Sequence, residues 1–114
     1  GATNPTWSPD GRRLAVTGIS MEQCCETTTR VAADLGYAVD FVFDATMTFP
    51  IPNPEVPGEE LGVAAIEERT TYVLRRRFAR IVRTATLVGE LAELRDSTVQ
   101  SVTELALAEP ALAS

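Results

Sequence analysis

The segment from Leu14 to Tyr37 constrains the fold more than any other part of the chain. LAVTGI (Leu14–Ile19) is a short apolar run that reads as a buried strand. Residues 22–35 then follow a helical period, with Cys24, Thr28, Val31 and Leu35 at i, i+4, i+7 and i+11, which predicts an inward face made of these four. Ser20 is the expected cap, Glu22 suits the positive end of the helix dipole, and Gly36 closes the helix as a C-cap glycine. YAVDFVFDA (Tyr37–Ala45), rich in β-branched and aromatic residues, reads as the next strand. A strand, a helix and a strand in immediate succession imply parallel strands joined by a right-handed crossover.

The pattern continues beyond Ala45. TMTFPIPNPEVPGEE carries prolines at 50, 52, 54 and 57, a density that predicts an irregular loop. A long helix is expected from Glu59 to about Ala79, with Leu61, Ala65, Val73 and Phe78 among its apolar positions. RIVRTA (Arg80–Ala85) reads as a third short strand, followed by a helix from Thr86 to about Leu94. A last amphipathic segment, STVQSVTELALAE, is halted by Pro110. The order β-α-β-α-β-α places helices on the faces of a parallel sheet, an α/β fold with three α-β-α layers. At 114 residues the chain is one domain, 1–114, with residues 95–114 as a C-terminal helical tail. A three-stranded parallel sheet would leave an apolar first strand at its edge. The domain is therefore expected to be partial, its edge covered by a missing N-terminal segment or by another subunit of a homo-oligomer. The chain starts with Gly1 instead of methionine, and a processed, cloned or truncated product is expected.

Residues 1–11 are turn-rich, with Pro9 and Asp10-Gly11 fitting a type I turn. PTWSPDGRRLAV is similar to the repeat signature of TolB-type β-propellers, but such folds repeat it every ~40 residues and no second copy is present.

Composition limits the chemistry. The net charge of −6 disfavours nucleic acid or an anionic membrane as partner, and the longest apolar runs are too short to span a bilayer. A cytoplasmic protein is expected. The chain has no histidine, and all ten basic residues are arginine. A Cys–His or Ser–His–Asp set cannot be assembled from it, so any general base is a carboxylate or comes from elsewhere.

Cys24 and Cys25, the two cysteines, sit where a strand turns into a helix N-terminus. Unpaired N–H groups at such a terminus stabilise an anion and can hold the oxyanion formed when a carbonyl is attacked. In an open parallel sheet this is also the end where ligands bind. Two small buried cysteines are an equally open reading, since free cysteine is among the most buried residue types. Zinc is disfavoured by the absence of histidine and of a second cysteine pair, and a C-x-x-C redox motif is absent. No metal and no cofactor is expected.

LAVTGISMEQCCETTTRVAADLGYAVDFVFDATMTF (Leu14–Phe49) resembles the nucleophile region of isochorismatase-like cysteine hydrolases, a group that includes nicotinamidases, N-carbamoylsarcosine amidases and isochorismatases. The matches are Gly18, Cys24, Thr28, Arg30, Ala32, Gly36, Tyr37, Asp44 and Ala45, and LRRRFARIVRTATLVGEL resembles the family's last helix, strand and closing helix. The resemblance implies a Rossmann-like three-layer fold, of which this chain is the C-terminal part, and a hydrolase acting on a small-molecule substrate. It implies Cys24 as the nucleophile, Cys25 as a packing residue in place of the usual valine, and a cis Ile19–Ser20 peptide. The backbone N–H groups of Ser20 and Cys24 would form the oxyanion hole. The family's catalytic aspartate and lysine lie in an N-terminal half, and neither Asp10 nor Asp44 matches that aspartate. Phe49 and Ile51 are the candidate substrate contacts in the proline-rich loop. A non-catalytic remnant or assembly module of the same fold is the alternative reading, and a cysteine redox sensor a third. RRRFAR (Arg75–Arg80) reads as a helix C-terminus whose cations balance the dipole.

Overall fold

The computed structural model describes residues 12–108, so Pro9, Asp10 and Pro110 lie outside the described residues. Strand β1 (Arg13–Ile19) leads through a π-helical turn, Met21–Cys25, into helix α1 (Glu26–Asp34). Strand β2 (Ala38–Met47), the short β3 (Ile51–Pro52) and β4 (Glu60–Leu61), helix α2 (Val63–Leu74), strand β5 (Arg80–Val82) and helix α3 (Thr84–Ala108) follow. β1, β2 and β5 form a parallel sheet in the order β1-β2-β5, while β3 and β4 pair antiparallel in a separate hairpin. The architecture is α/β, a parallel sheet with flanking helices.

β2 occupies the centre of the sheet, and Val39, Asp40, Phe41 and Val42 are consecutively buried on its two faces. That double burial is why its sequence is a near-continuous apolar run instead of an alternation. Val39 and Phe41 join Val16, Met21, Cys25, Ala32, Leu74 and Ala79 in the core. Phe41 is fully buried, a contribution of about 1.5–3 kcal/mol.

The exception in that run is Asp40, whose carboxylate is 1% exposed. Arg80 lies directly opposite it on β5, and donates from Nε to Oδ1 at 2.9 Å and from Nη2 to Oδ2 at 3.2 Å. Arg13 on β1 donates from Nε to Oδ2 at 2.9 Å and from Nη2 to Oδ1 at 2.6 Å. One carboxylate therefore receives a guanidinium fork from each neighbouring strand.

Helix α1 ends as its sequence indicates. Gly36 has φ +95°, the Gly36 N–H donates to the Ala33 carbonyl, and the Tyr37 N–H donates to that of Ala32, which together make a Schellman closure. The buried face differs from the expected one. Met21, Cys25, Thr29 and Ala32 point inward, whereas Cys24, Thr28, Val31 and Leu35 are exposed, the last two at 52% and 64%. Both stripes are apolar or small, and the sheet lies against the first. Ser20 makes no side-chain cap; its carbonyl accepts the N–H groups of Gln23 and Cys25, both at 3.2 Å.

Three other boundaries depart from expectation. The proline-rich segment is a compact hairpin, in which the Asn53 N–H donates to the Glu59 carbonyl at 2.8 Å and the Asn53 side chain to the Glu59 carboxylate at 2.9 Å. Proline is compatible with these two-residue strands because they have free edges. Accordingly α2 begins only at Val63, leaving Leu61 on β4, and it buries Ile66, Thr70, Thr71 and Leu74. It stops at Leu74, just before Arg76, which has φ +74°. β5 ends at Val82, and α3 then runs unbroken through the position where two helical segments were expected. No glycine or proline lies between Leu94 and Ala108, so nothing in the sequence interrupts it.

Asp40→Ala is expected to lower the unfolding free energy by about 3–5 kcal/mol, because two guanidinium groups lose their buried counter-charge. Urea unfolding followed by circular dichroism checks this; a loss below about 1 kcal/mol would mean that the carboxylate does not clamp the sheet.

Candidate active site

At the carboxyl end of β1 the chain has to turn sharply to enter α1. Gly18 has φ +128°, a conformation that disfavours any side chain, and the following Ile19–Ser20 peptide bond is cis. Between Val16 and Gly18 the register against β2 jumps from Phe41 to Thr46, so β2 carries extra residues at this level. The π-helical turn gives two neighbouring thiols different exposure. Cys25 points into the core, 4% exposed, while Cys24 is exposed. An ideal Cβ on Gly18 would sit 3.7 Å from the Cys25 Sγ, which marks how closely the strand end packs on the buried thiol.

Cys24 opens onto a groove of about 270 Å³ lined by Ala15, Val16, Thr17, Gly18, Ile19 and Thr28, with Cys25 at its base. The groove runs along β1, which among the described residues pairs on one side only, with β2. Leu14 and Ile19 are 38% and 55% exposed there, and Val31 and Leu35 continue the apolar surface along α1. The expected inward stripe of α1 thus borders the open edge of the sheet.

The carboxylates near the turn already have partners. Glu22 accepts a short hydrogen bond from the Thr48 hydroxyl, which ties the root of the β3–β4 hairpin to the cysteine turn. Glu26, 8% exposed, accepts from Arg30 at 3.1 Å and from Arg69 of α2. Asp44 lies on β2 between Phe41 and Thr46, the partners of Val16 and Gly18 on β1. Its Oδ1 accepts the Thr84 N–H at 2.7 Å and the Thr84 hydroxyl at 2.8 Å, so it fastens the chain leaving β5. Among the described residues no group of three His, Cys, Asp or Glu side chains is placed to hold a metal ion.

Of the residues singled out from sequence, Ile19 and Cys24 share the groove, and Ser20 is half-buried behind the turn. Phe49 and Ile51 are not among the residues lining it. Ile51 lines a separate cavity of about 250 Å³ with Glu22, Leu61, Ile66 and Arg69, and Phe49 is 59% exposed. Sequence reasoning missed the groove walls Ala15, Thr17 and Thr28, although their place at a strand end and one helical turn beyond Cys24 marked them. It also missed the Glu22–Thr48 link, which joins residues 26 positions apart and leaves no local signal.

Solved structures share this fold over part of their length. A cysteine hydrolase from Pseudomonas syringae pv. phaseolicola 1448A matches with a TM-score of 0.65 and 23% identity, over 74% of this chain and 38% of its own. A protein assigned as an isochorismatase from Burkholderia xenovorans LB400 matches with a TM-score of 0.65 and 27% identity, over 74% and 39%. A hydrolase assigned to the isochorismatase family, from Chromobacterium violaceum ATCC 12472, gives a TM-score of 0.62 and 24% identity, over 69% and 40%. The fold is that of the isochorismatase-like cysteine hydrolases. It is the three-layer α/β class, and the chain spans about two fifths of the length of these structures. No protein-family model matches the chain. Among the described residues no helix is long and apolar enough to cross a membrane.

The two thiols are expected to separate in reactivity. Burial first, and then the neighbouring Cys24 and Glu22 charges, push the Cys25 thiol above the ordinary cysteine range. A chromogenic disulfide reagent near neutral pH should label one thiol quickly in the native protein and the second only on unfolding. The fast phase should vanish in Cys24→Ser and persist in Cys25→Ser; labelling lost from the wrong variant would overturn the assignment.

The Thr84 hydroxyl, and then its N–H, hold the exposed Asp44 carboxyl below its usual range. Stability contributed by this link is present above the ordinary carboxylate pKa and is lost as pH falls through the depressed value. In an NMR titration the Asp44 carboxyl of Thr84→Val should titrate at higher pH than that of the wild type; an unmoved midpoint would remove Thr84 as the cause.

Proposed function

We propose that this chain is the nucleophile-bearing part of an isochorismatase-family cysteine hydrolase that cleaves a C–N amide-type bond. The observation that carries the reading is Cys24, an exposed thiol at the start of a helix, beyond the carboxyl end of β1, on an isochorismatase-like fold. In the proposed reaction the Cys24 sulfur attacks the substrate carbonyl, forming a C–S bond as the thiol proton passes to a carboxylate base. The oxyanion lies against the N–H groups of Ser20 and Cys24. The Ser20 carbonyl accepts the N–H groups of Gln23 and Cys25, which holds the turn that carries these two donors. Collapse breaks the C–N bond, the base returns its proton to the departing amine, and water hydrolyses the thioester to release the acid and regenerate the thiol.

The base and its companion lysine are assigned to an N-terminal segment that adds to the open side of β1. Glu22 and Glu26, the carboxylates nearest in sequence, are already engaged, Glu22 by Thr48 and Glu26 by Arg30 and Arg69. The substrate is a small molecule held in the β1 groove between this segment and the cysteine turn.

The test uses the polypeptide together with its natural upstream sequence and a panel of primary amides and N-carbamoyl compounds. Acid-quenched turnover should yield an acyl adduct on the Cys24 peptide by mass spectrometry, and Cys24→Ala should lower kcat by about a thousandfold or more. Turnover that survives Cys24→Ala, or an upstream sequence with no aspartate and lysine to offer, would sink the proposal. The absence of histidine and lysine motivates one alternative, a non-catalytic assembly module of the same fold, and that alternative predicts a native Cys24 thiol that neither acylates nor labels rapidly.

A further inference from the structure

Helix α3 presents a pattern that the proposed chemistry does not use. From Ala85 onward it belongs to a compact unit separate from residues 1–84, and it is 25 residues long. Val88, Leu91, Leu94, Val99, Val102 and Leu105 are all between 44% and 66% exposed. An amphipathic helix of this kind draws most of its stability from packing its apolar face.

The heptad reading of this face is regular. Val88, Leu91, Arg95, Thr98, Val102 and Leu105 fall at successive a and d positions, and Leu94 and Val99 flank the middle layer. Glu90, Glu93, Asp96 and Glu104 all fall at b, c or f, on the opposite face. Leu107 is the one large apolar side chain on that outer face. Two such surfaces can therefore meet without burying a carboxylate.

We propose that α3 pairs with α3 of a second copy of this chain, antiparallel, about a two-fold axis passing between Asp96 and Ser97. That axis sets Val88 opposite Leu105 of the second copy, Leu91 opposite Val102, and Arg95 opposite Thr98. Every a residue thereby faces a d residue, as an antiparallel pair requires. A parallel pair would instead bring Arg95 against Arg95 in the central layer, where like charges repel. The polar middle layer fixes register and direction, and the apolar layers at either end hold the pair together.

Sedimentation equilibrium across a micromolar dilution series should show a reversible dimer. Val102→Glu with Leu105→Glu should weaken self-association by at least about tenfold, with helix content retained because glutamate is a good helix former. A second test reports geometry independently of affinity. In a Cys24→Ser background, a mixture of the Leu91→Cys chain with the Val102→Cys chain should oxidise to a heterodimeric disulfide, while either chain alone should not. A wild type monomeric throughout the series, a dimer indifferent to the double glutamate variant, or Leu91→Cys cross-linking to itself would each overturn the proposal.

Discussion

A single carboxylate sets the geometry on which everything else depends. Asp40 lies in the middle strand with a guanidinium fork on either side, and the three residues come from the three strands of the parallel sheet. A buried charge of this kind is tolerable only when fully paired, so any strand slippage that separates Asp40 from Arg13 or Arg80 is disfavoured by several kcal/mol. The clamp sits near the amino ends of β1 and β5, and fixing those ends fixes the height at which β1 terminates. Gly18, the cis peptide and the cysteine turn follow within a few residues of that point. Register at one end of the sheet thus positions a thiol at the other.

The cysteine turn separates two side chains that sequence makes adjacent and chemically identical. Their positions along the turn leave Cys25 buried under Gly18 and Cys24 exposed, with both bordering the groove. The groove has one finished wall, made by β1 and α1, and this matches a chain that spans about two fifths of the structures it resembles. The proposed nucleophile and oxyanion donors lie within these residues, and the proposed acid–base partners come from elsewhere.

Much of the α/β order was legible because its signals are local. Gly36 announced the end of α1, and the β-branched and aromatic run after it announced β2. What failed was long-range. Helix α1 has two apolar stripes one residue out of phase, and period alone cannot say which of them meets the sheet. The stripe through Cys24 and Leu35 read as core, while packing selected the stripe through Met21 and Ala32. The proline-rich segment read as irregular, yet its order comes from Asn53 reaching Glu59 across a turn. Likewise, the Asp44–Thr84 and Glu22–Thr48 bonds join distant residues, and no window of sequence contains both partners.

The open side of β1 has a consequence for selectivity. Exposed strands are commonly guarded by lysine or by inward-pointing charge, which turn away unintended neighbours. β1 reads RLAVTGI, with its only charge at the first residue and that arginine committed to Asp40. Apart from Arg13, β1 carries no charged side chain to filter the strand that we propose adds beside it. In that proposal discrimination rests on shape: a strand would be accepted if it ran in the right direction, kept register as far as Gly18, and brought a face that fits Val31 and Leu35 beside it.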